Sequence, residues 1–210
     1  MGCAKPRVIQ AGDIADAMEK LCISACCNLP EENLARIEAF AAREESEVGR
    51  QVLEMILENH RLAAREQRPA CQDTGLAVVF LELGLDVRIE GGDLVAAINE
   101  GVRRGYEKGY LRKSVVAEPL FERKNTRDNT PAIIHTSIVA GDKLKITLAP
   151  KGGGAENMSG VAMMIPAAGV EGVRKFVIEQ VRKAGPNPCP PVVVGVGIGG
   201  NFEVAPLLAK

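Results

Sequence analysis

From Asp13 to Cys27 the apolar residues Ile14, Met18, Leu21, Cys22 and Ala25 recur at helical spacing, and Asn28-Leu29-Pro30 interrupts the pattern and can open another helix. The stretch from Glu31 to Pro69 keeps a helical period with many i to i+4 charge pairs, so residues 1–68 are predicted to be helical throughout. After Cys71 the pattern changes: LAVVFLELGLDVRIEGG is β-rich with a glycine turn and predicts one strand with room for a second. DLVAAINEGVRRGYEKGY returns to a helix that Asp93 can cap. LRKSVVAEPLFERKNTRDNTP is polar, turn-rich and too long for a mere connection, which marks a functional loop. AIIHTSIV and KLKITLAP alternate like a hairpin joined by Ala140-Gly141-Asp142. Beyond the glycine cluster KGGGAENMSG, GVEGVRKFVIEQVRKAG predicts an amphipathic helix closed by Gly185. The remainder, PNPCPPVVVGVGIGGNFEVAPLLAK, predicts a loop, a buried strand, a glycine turn and a helix start. These elements predict a single domain over residues 1–210 of mixed α/β class. Its helical N-terminal third (1–68) would pack on a mixed β-sheet flanked by helices (69–210).

Composition changes this picture mainly by exclusion. With 210 residues, 46% apolar and 25% charged, and a net charge of -1, the balance is that of an ordinary globular chain, without the basic surface that nucleic acid requires. Aromatics are 3% with no Trp, so base-stacking platforms are not expected and the core must be aliphatic. No apolar run approaches the roughly 18 residues of a membrane span and no signal-peptide pattern opens the chain, so a cytoplasmic, membrane-free protein is expected. MGCAKP has Pro6 where an acylation start wants Ser or Thr. Six cysteines in a reducing compartment point to buried thiols, metal ligands or catalytic groups ahead of disulfides. Cys22, Cys26 and Cys27 sit on or beside the first apolar stripe and are expected in the core, with a CxxxCC metal site as the alternative. His60, between Asn59 and Arg61, is expected in solvent.

Four stretches could carry chemistry, and none decides alone. In KGGGAEN, Lys151 and Gly152, Gly153 and Gly154 could cradle an anion, or form a flexible loop. Gly195, Gly197 and Gly200 have the G-x-G-x-x-G spacing of a dinucleotide site, but at the end of the chain and without the acidic residue some 20 positions on. Cys71 and Cys189 each lie in a loop before an apolar stretch and could converge on a metal, although no CxxC knuckle supports them. Asp73, Arg112, Asn125, Asp128, Asn129, Thr130 and His135 are polar residues outside the helices and could be ordinary turn residues or a site.

Together, CQDTG (71–75), NTRDNTPAIIH (125–135), KGGGAENMS (151–159) and CPPVVVGVGIGGNFE (189–203) resemble, in this order, the α region of the iron–sulfur-dependent class I fumarases and tartrate dehydratases. The resemblance implies a hydro-lyase that reversibly dehydrates a 2-hydroxy dicarboxylate, malate to fumarate or tartrate to oxaloacetate. The nucleotide-binding module is the alternative. It also implies a [4Fe-4S] cluster held by three cysteines, with the remaining iron acting as a Lewis acid on the substrate. Cys71 and Cys189 correspond to two ligands, Gln72 and Asp73 to substrate-facing catalytic neighbours, and Arg112 to a carboxylate clamp. Lys151, Gly152, Gly153, Gly154, Asn125 and Asp128 correspond to substrate-binding positions. The family reads NTGDNTP where this chain has Arg127. Its third cluster cysteine lies in a continuation of the α region beyond Lys210, and its catalytic base in a β region or subunit. The chain alone is therefore expected to be inactive and to act with that β partner, in a homodimer or α2β2 assembly.

Overall fold

The computed structural model describes residues 6–210, so Cys3 and the rest of the MGCAK start lie outside the described residues. Two compact units are present, one running to Lys151 and one from Gly152 to Lys210. The first contains β1 (Arg7–Gln10), α1 (Ala11–Cys27), α2 (Glu31–Ala41), α3 (Glu47–Glu66), β2 (Leu76–Gly84), β3 (Val87–Glu90), α4 (Leu94–Lys108), β4 (Ile133–Val139) and β5 (Leu144–Lys151). The class is mixed α/β, as expected. The α2 N-terminus falls at Pro30, and the Asp93 carboxylate accepts from the Ala96 amide at 2.8 Å to cap α4.

Two expectations are corrected. The first third is not wholly helical, because β1 precedes α1 and pairs in parallel with β3. Four residues running straight into a helix carry little periodicity, and their partner lies far along the chain. Nor do β4 and β5 form a hairpin: β2 lies between them, parallel to β4 and antiparallel to β5. Ala77, Val78, Val79 and Leu81 of β2 are at most 2% exposed, so both faces of this strand are covered. That suits the central position better than either flanking strand does.

The main core joins Ile14, Met18 and Cys22 of α1, Ile98, Val102 and Tyr106 of α4, and Ala77, Val79 and Leu81 of β2. Glycines let the two helices approach. A Cβ on Gly101 would lie 2.4 Å from the Met18 Cβ and 2.5 Å from the Ala15 carbonyl oxygen, distances no real side chain tolerates. A smaller cluster of Ile37, Ala41 and Leu57 ties α2 to α3.

The second unit contains α5 (Gly153–Glu156), a 3-10 turn at Pro166–Ala168, α6 (Gly169–Ala184) and α7 (Val204–Ala209). Gly185 closes α6 with φ of +53°, as its position predicts. The expected buried strand at Val192–Ile198 is not formed, and Val193, Val194, Val196 and Ile198 are exposed. Apolar composition marks a segment that gains from burial, but a strand also needs a hydrogen-bonding neighbour, and all the described strands belong to the first unit. The G-x-G-x-x-G glycines serve helix packing. A Cβ on Gly195 would fall 1.9 Å from the Ala209 carbonyl oxygen, and one on Gly197 2.0 Å from that of Ala205.

Candidate active site

The CQDTG loop joins α3 to β2 and is held from five directions. The Ala70 amide donates to the Cys26 carbonyl at the end of α1 (3.0 Å), and the Asn59 side-chain amide of α3 donates to the Ala70 carbonyl (2.7 Å). The Tyr106 hydroxyl of α4 donates to the Gly75 carbonyl at 3.0 Å. Thr74 Oγ1 accepts from the Arg112 amide at 2.9 Å, and Asn129 Nδ2 donates to the Gly75 carbonyl at 3.0 Å. A loop pinned this way presents its outer side chains in fixed places while its inner residues, Thr74 and Gly75, are buried.

Those outer side chains are Cys71 and Gln72, both exposed, and Asp73, half-buried. The Asp73 amide points at the Cys71 sulfur, 3.4 Å away. Cys71 and Asp73 share a cleft with Ala25, Cys26, His60, Ala70, Thr74 and Pro150. Lys151 is the register partner of Leu76, so β5 delivers the start of KGGG beside the end of CQDTG.

Arg112 is exposed on a stretch whose backbone is fixed residue by residue. The Leu111 amide donates to the Tyr106 carbonyl (3.0 Å), Arg112 bonds Thr74, and the Ser114 and Val115 amides donate to Asn129 Oδ1 at 2.8 and 3.2 Å. Asn125 and Asp128 turn their polar atoms to this loop. Asn125 donates to the Lys113 carbonyl (2.9 Å) and accepts from the Arg127 amide (2.6 Å). Asp128 pairs with Arg103 at 3.2 Å and accepts from the Thr130 amide and hydroxyl. Burial alone raises the Asp128 pKa, but the Thr130 and Arg103 bonds outweigh it and hold the carboxyl below its usual value. Arg127, where the resembled family has glycine, adopts φ of +68°, the left-handed conformation that glycine supplies without strain. His135 stacks on Phe80 across the β2–β4 pair, with ring centroids 5.2 Å apart.

In the second unit Cys189 is exposed at φ of +56°, its amide donating to the Pro186 carbonyl at 3.0 Å, just before a cis Pro190–Pro191 bond. Gly154 abuts the same turn, since a Cβ there would lie 2.4 Å from the Asn187 carbonyl oxygen. Gly152 precedes the short α5, its carbonyl accepting from the Glu156 amide at 2.9 Å.

Donor chemistry separates the cysteines. Cys22 and Cys27 are buried and Cys26 half-buried. Burial pushes the Cys22 and Cys26 thiols up to about 12 and raises Cys27, which keeps these three protonated as core groups. Cys71 and Cys189 are the exposed thiols, and accessible soft sulfur donors on pinned loops fit an iron–sulfur group. Among the described residues, no three His, Cys, Asp or Glu are gathered as a metal site.

Sequence reasoning missed the supports. His60 is half-buried in the cleft and not in solvent, and its Nδ1 is buried without a hydrogen-bond partner. Burial lowers its pKa, which favours the neutral ring. Thr74 and Tyr106 gave no local signal of their roles, because their partners lie on other elements.

The fumarate hydratase (Fumerase) family model matches residues 15–210. A Methanocaldococcus jannaschii protein with the provisional name L(+)-tartrate dehydratase subunit alpha is 39% identical over 202 residues, covering 94% of this chain and 70% of that protein. The L(+)-tartrate dehydratase subunits alpha of Escherichia coli K12 and Shigella sonnei are each 31% identical over 186 residues, covering 87% of this chain and 60% of their own length. Among the described residues, no helix is long and apolar enough to cross a membrane. A family match over all but the first few residues, together with a pinned CQDTG loop beside Arg112, establishes that this chain belongs to the fumarate hydratase (Fumerase) family.

Proposed function

We propose that the chain is the α subunit, or the α region, of an iron–sulfur hydro-lyase that reversibly removes water from a 2-hydroxy dicarboxylate of the malate or tartrate kind. The observation that carries this reading is an exposed thiol, Cys71, on a loop held from five directions, one of them the stretch bearing Arg112. When bound, a [4Fe-4S] cluster supplies Lewis acidity toward the leaving hydroxyl. Cys71 and Cys189 hold it, with the remaining ligand coming from outside residues 1–210. Gln72 and Asp73, beside Cys71, orient the substrate. Arg112 takes a carboxylate in bidentate fashion, and Lys151 with the amides of Gly152, Gly153 and Gly154 neutralises the charge of the other carboxylate. Asn125 and Asp128 serve the site by shaping the loop that carries Arg112. Residues 1–210 work as one functional region with a β partner that supplies the proton-abstracting base, in a cytoplasmic homodimer or α2β2 assembly. G-x-G-x-x-G is committed to α7 packing and takes no nucleotide in this reading.

Anaerobic reconstitution of the chain extended through the continuation of its α region, together with its β partner, tests the proposal. Cluster absorbance should develop and should be lost in Cys71→Ser and in Cys189→Ser; retention of the full absorbance in both variants would overturn it. Hydration of fumarate, compared with dehydration of tartrate, then selects the substrate.

A further inference from the structure

Among the described residues the buried polar side chains are Thr74 and Asn129, and they stand on two sides of one join. Thr74 Oγ1 takes the Arg112 amide. Asn129 is fully buried and reaches both ways, accepting from the Ser114 and Val115 amides through Oδ1 and donating to the Gly75 carbonyl through Nδ2. Its backbone sits at φ of +60°, which turns the side chain into the join in place of solvent. A buried amide that satisfies three backbone groups from two separate loops is expensive to replace, because each group left behind keeps its desolvation penalty.

We propose that Asn129 is a positioning residue that holds the Arg112 stretch in register with the cysteine loop. The spacing between the carboxylate clamp and the cluster ligand is then held by Asn129 together with the direct Thr74–Arg112 bond, and Asn129 itself touches neither substrate nor cluster. Its catalytic consequence rests on the hydro-lyase reading, whereas the tie does not. Loss of the Asn129 tie leaves the Arg112 stretch held to the cysteine loop by Thr74 alone and so loosens the clamp, which weakens substrate and transition state alike and appears in KM more than in kcat.

Two measurements on Asn129→Gly and Asn129→Asp decide the proposal. Glycine keeps the left-handed backbone and deletes both arms; aspartate keeps the acceptor for Ser114 and Val115 and loses the donor to Gly75. Hydrogen exchange on the chain alone should quicken about tenfold at the Ser114 and Val115 amides in Asn129→Gly, and stay within about threefold of wild type in Asn129→Asp. In the cluster-loaded complex, KM for the dicarboxylate should rise about tenfold in Asn129→Gly with a smaller change in kcat, and should rise likewise in Asn129→Asp, which keeps the Ser114 and Val115 arm but severs the link to Gly75. Gly197→Ala, which meets the Ala205 carbonyl in the second unit, should leave the exchange of the Ser114 and Val115 amides unchanged. Unchanged exchange in Asn129→Gly overturns the tie, and raised exchange with an unchanged KM overturns the positioning role. If Asn129→Gly does not fold, loss of Ser114 and Val115 protection in Asn129→Asp overturns it equally. A wild-type complex without turnover sinks the hydro-lyase reading alone, and the exchange arm still decides the tie.

Discussion

The two exposed cysteines are held in opposite ways. Cys71 rides on a loop tied by α1, α3, α4, the Arg112 stretch and Asn129, all within a unit built around a buried central strand. Cys189 sits in a turn whose recorded support is local, with its amide on Pro186 and its φ in the left-handed region. The first arrangement spreads its support over tertiary contacts and fails when the core shifts. The second is written into a few consecutive residues and survives changes elsewhere.

The largest expected effect comes from the core behind Cys71. Gly101→Ala forces a methyl into Met18 and Ala15, so unfolding free energy should fall by about 1 to 3 kcal/mol in chemical denaturation. By contrast Gly197→Ala, which meets the Ala205 carbonyl, should release the short α7 to proteolysis while leaving the main transition in place. An equal loss of global stability in both variants would abolish the distinction between the units.

Next in size is Tyr106→Phe, which removes one of the two donors to the Gly75 carbonyl and leaves Asn129 Nδ2. A loss of about 1 to 2 kcal/mol is expected, together with faster alkylation of Cys71 and no change in that of Cys189, read by peptide mass spectrometry. Arg127→Gly should act in the other direction, raising stability by about 1 kcal/mol in the same denaturation assay through relief of a left-handed arginine.

A further contrast is a pH dependence, confined to the alkaline range. The Cys22 and Cys26 thiols are raised in the folded state from 9.0 to about 12, so the folded chain holds protons that the unfolded chain releases. Their contribution is complete below pH 9 and is lost as pH climbs toward 12, so denaturation midpoints should fall across that window and fall less in Cys26→Ala.

Much of this was legible in the chain. The Asp93 cap, the break at Asn28-Leu29-Pro30 and the Gly185 stop depend on neighbours within a few residues, and the structure agrees at each. CQDTG and Arg112 stood out as motifs of a family. What was not legible is how they are joined. The hydrogen bonds from Asn129, Thr74 and Tyr106 cross 14 to 54 positions of sequence, and no local pattern records them. His60 was misplaced for the same reason, since the cleft beside it is built by α1, the cysteine loop and β5.

The sequence by itself determined the class, the helices and their caps, and the residue types able to hold a soft metal and a dicarboxylate, because propensity, capping and donor chemistry are properties of neighbours and side chains. Only the tertiary structure decided that β2 runs between β4 and β5, that the terminal glycines serve a helix, and that Asn129 joins the cysteine loop to Arg112. Those outcomes turn on which distant groups compete for the same buried surface and the same hydrogen bonds, and that competition is settled only when the chain packs.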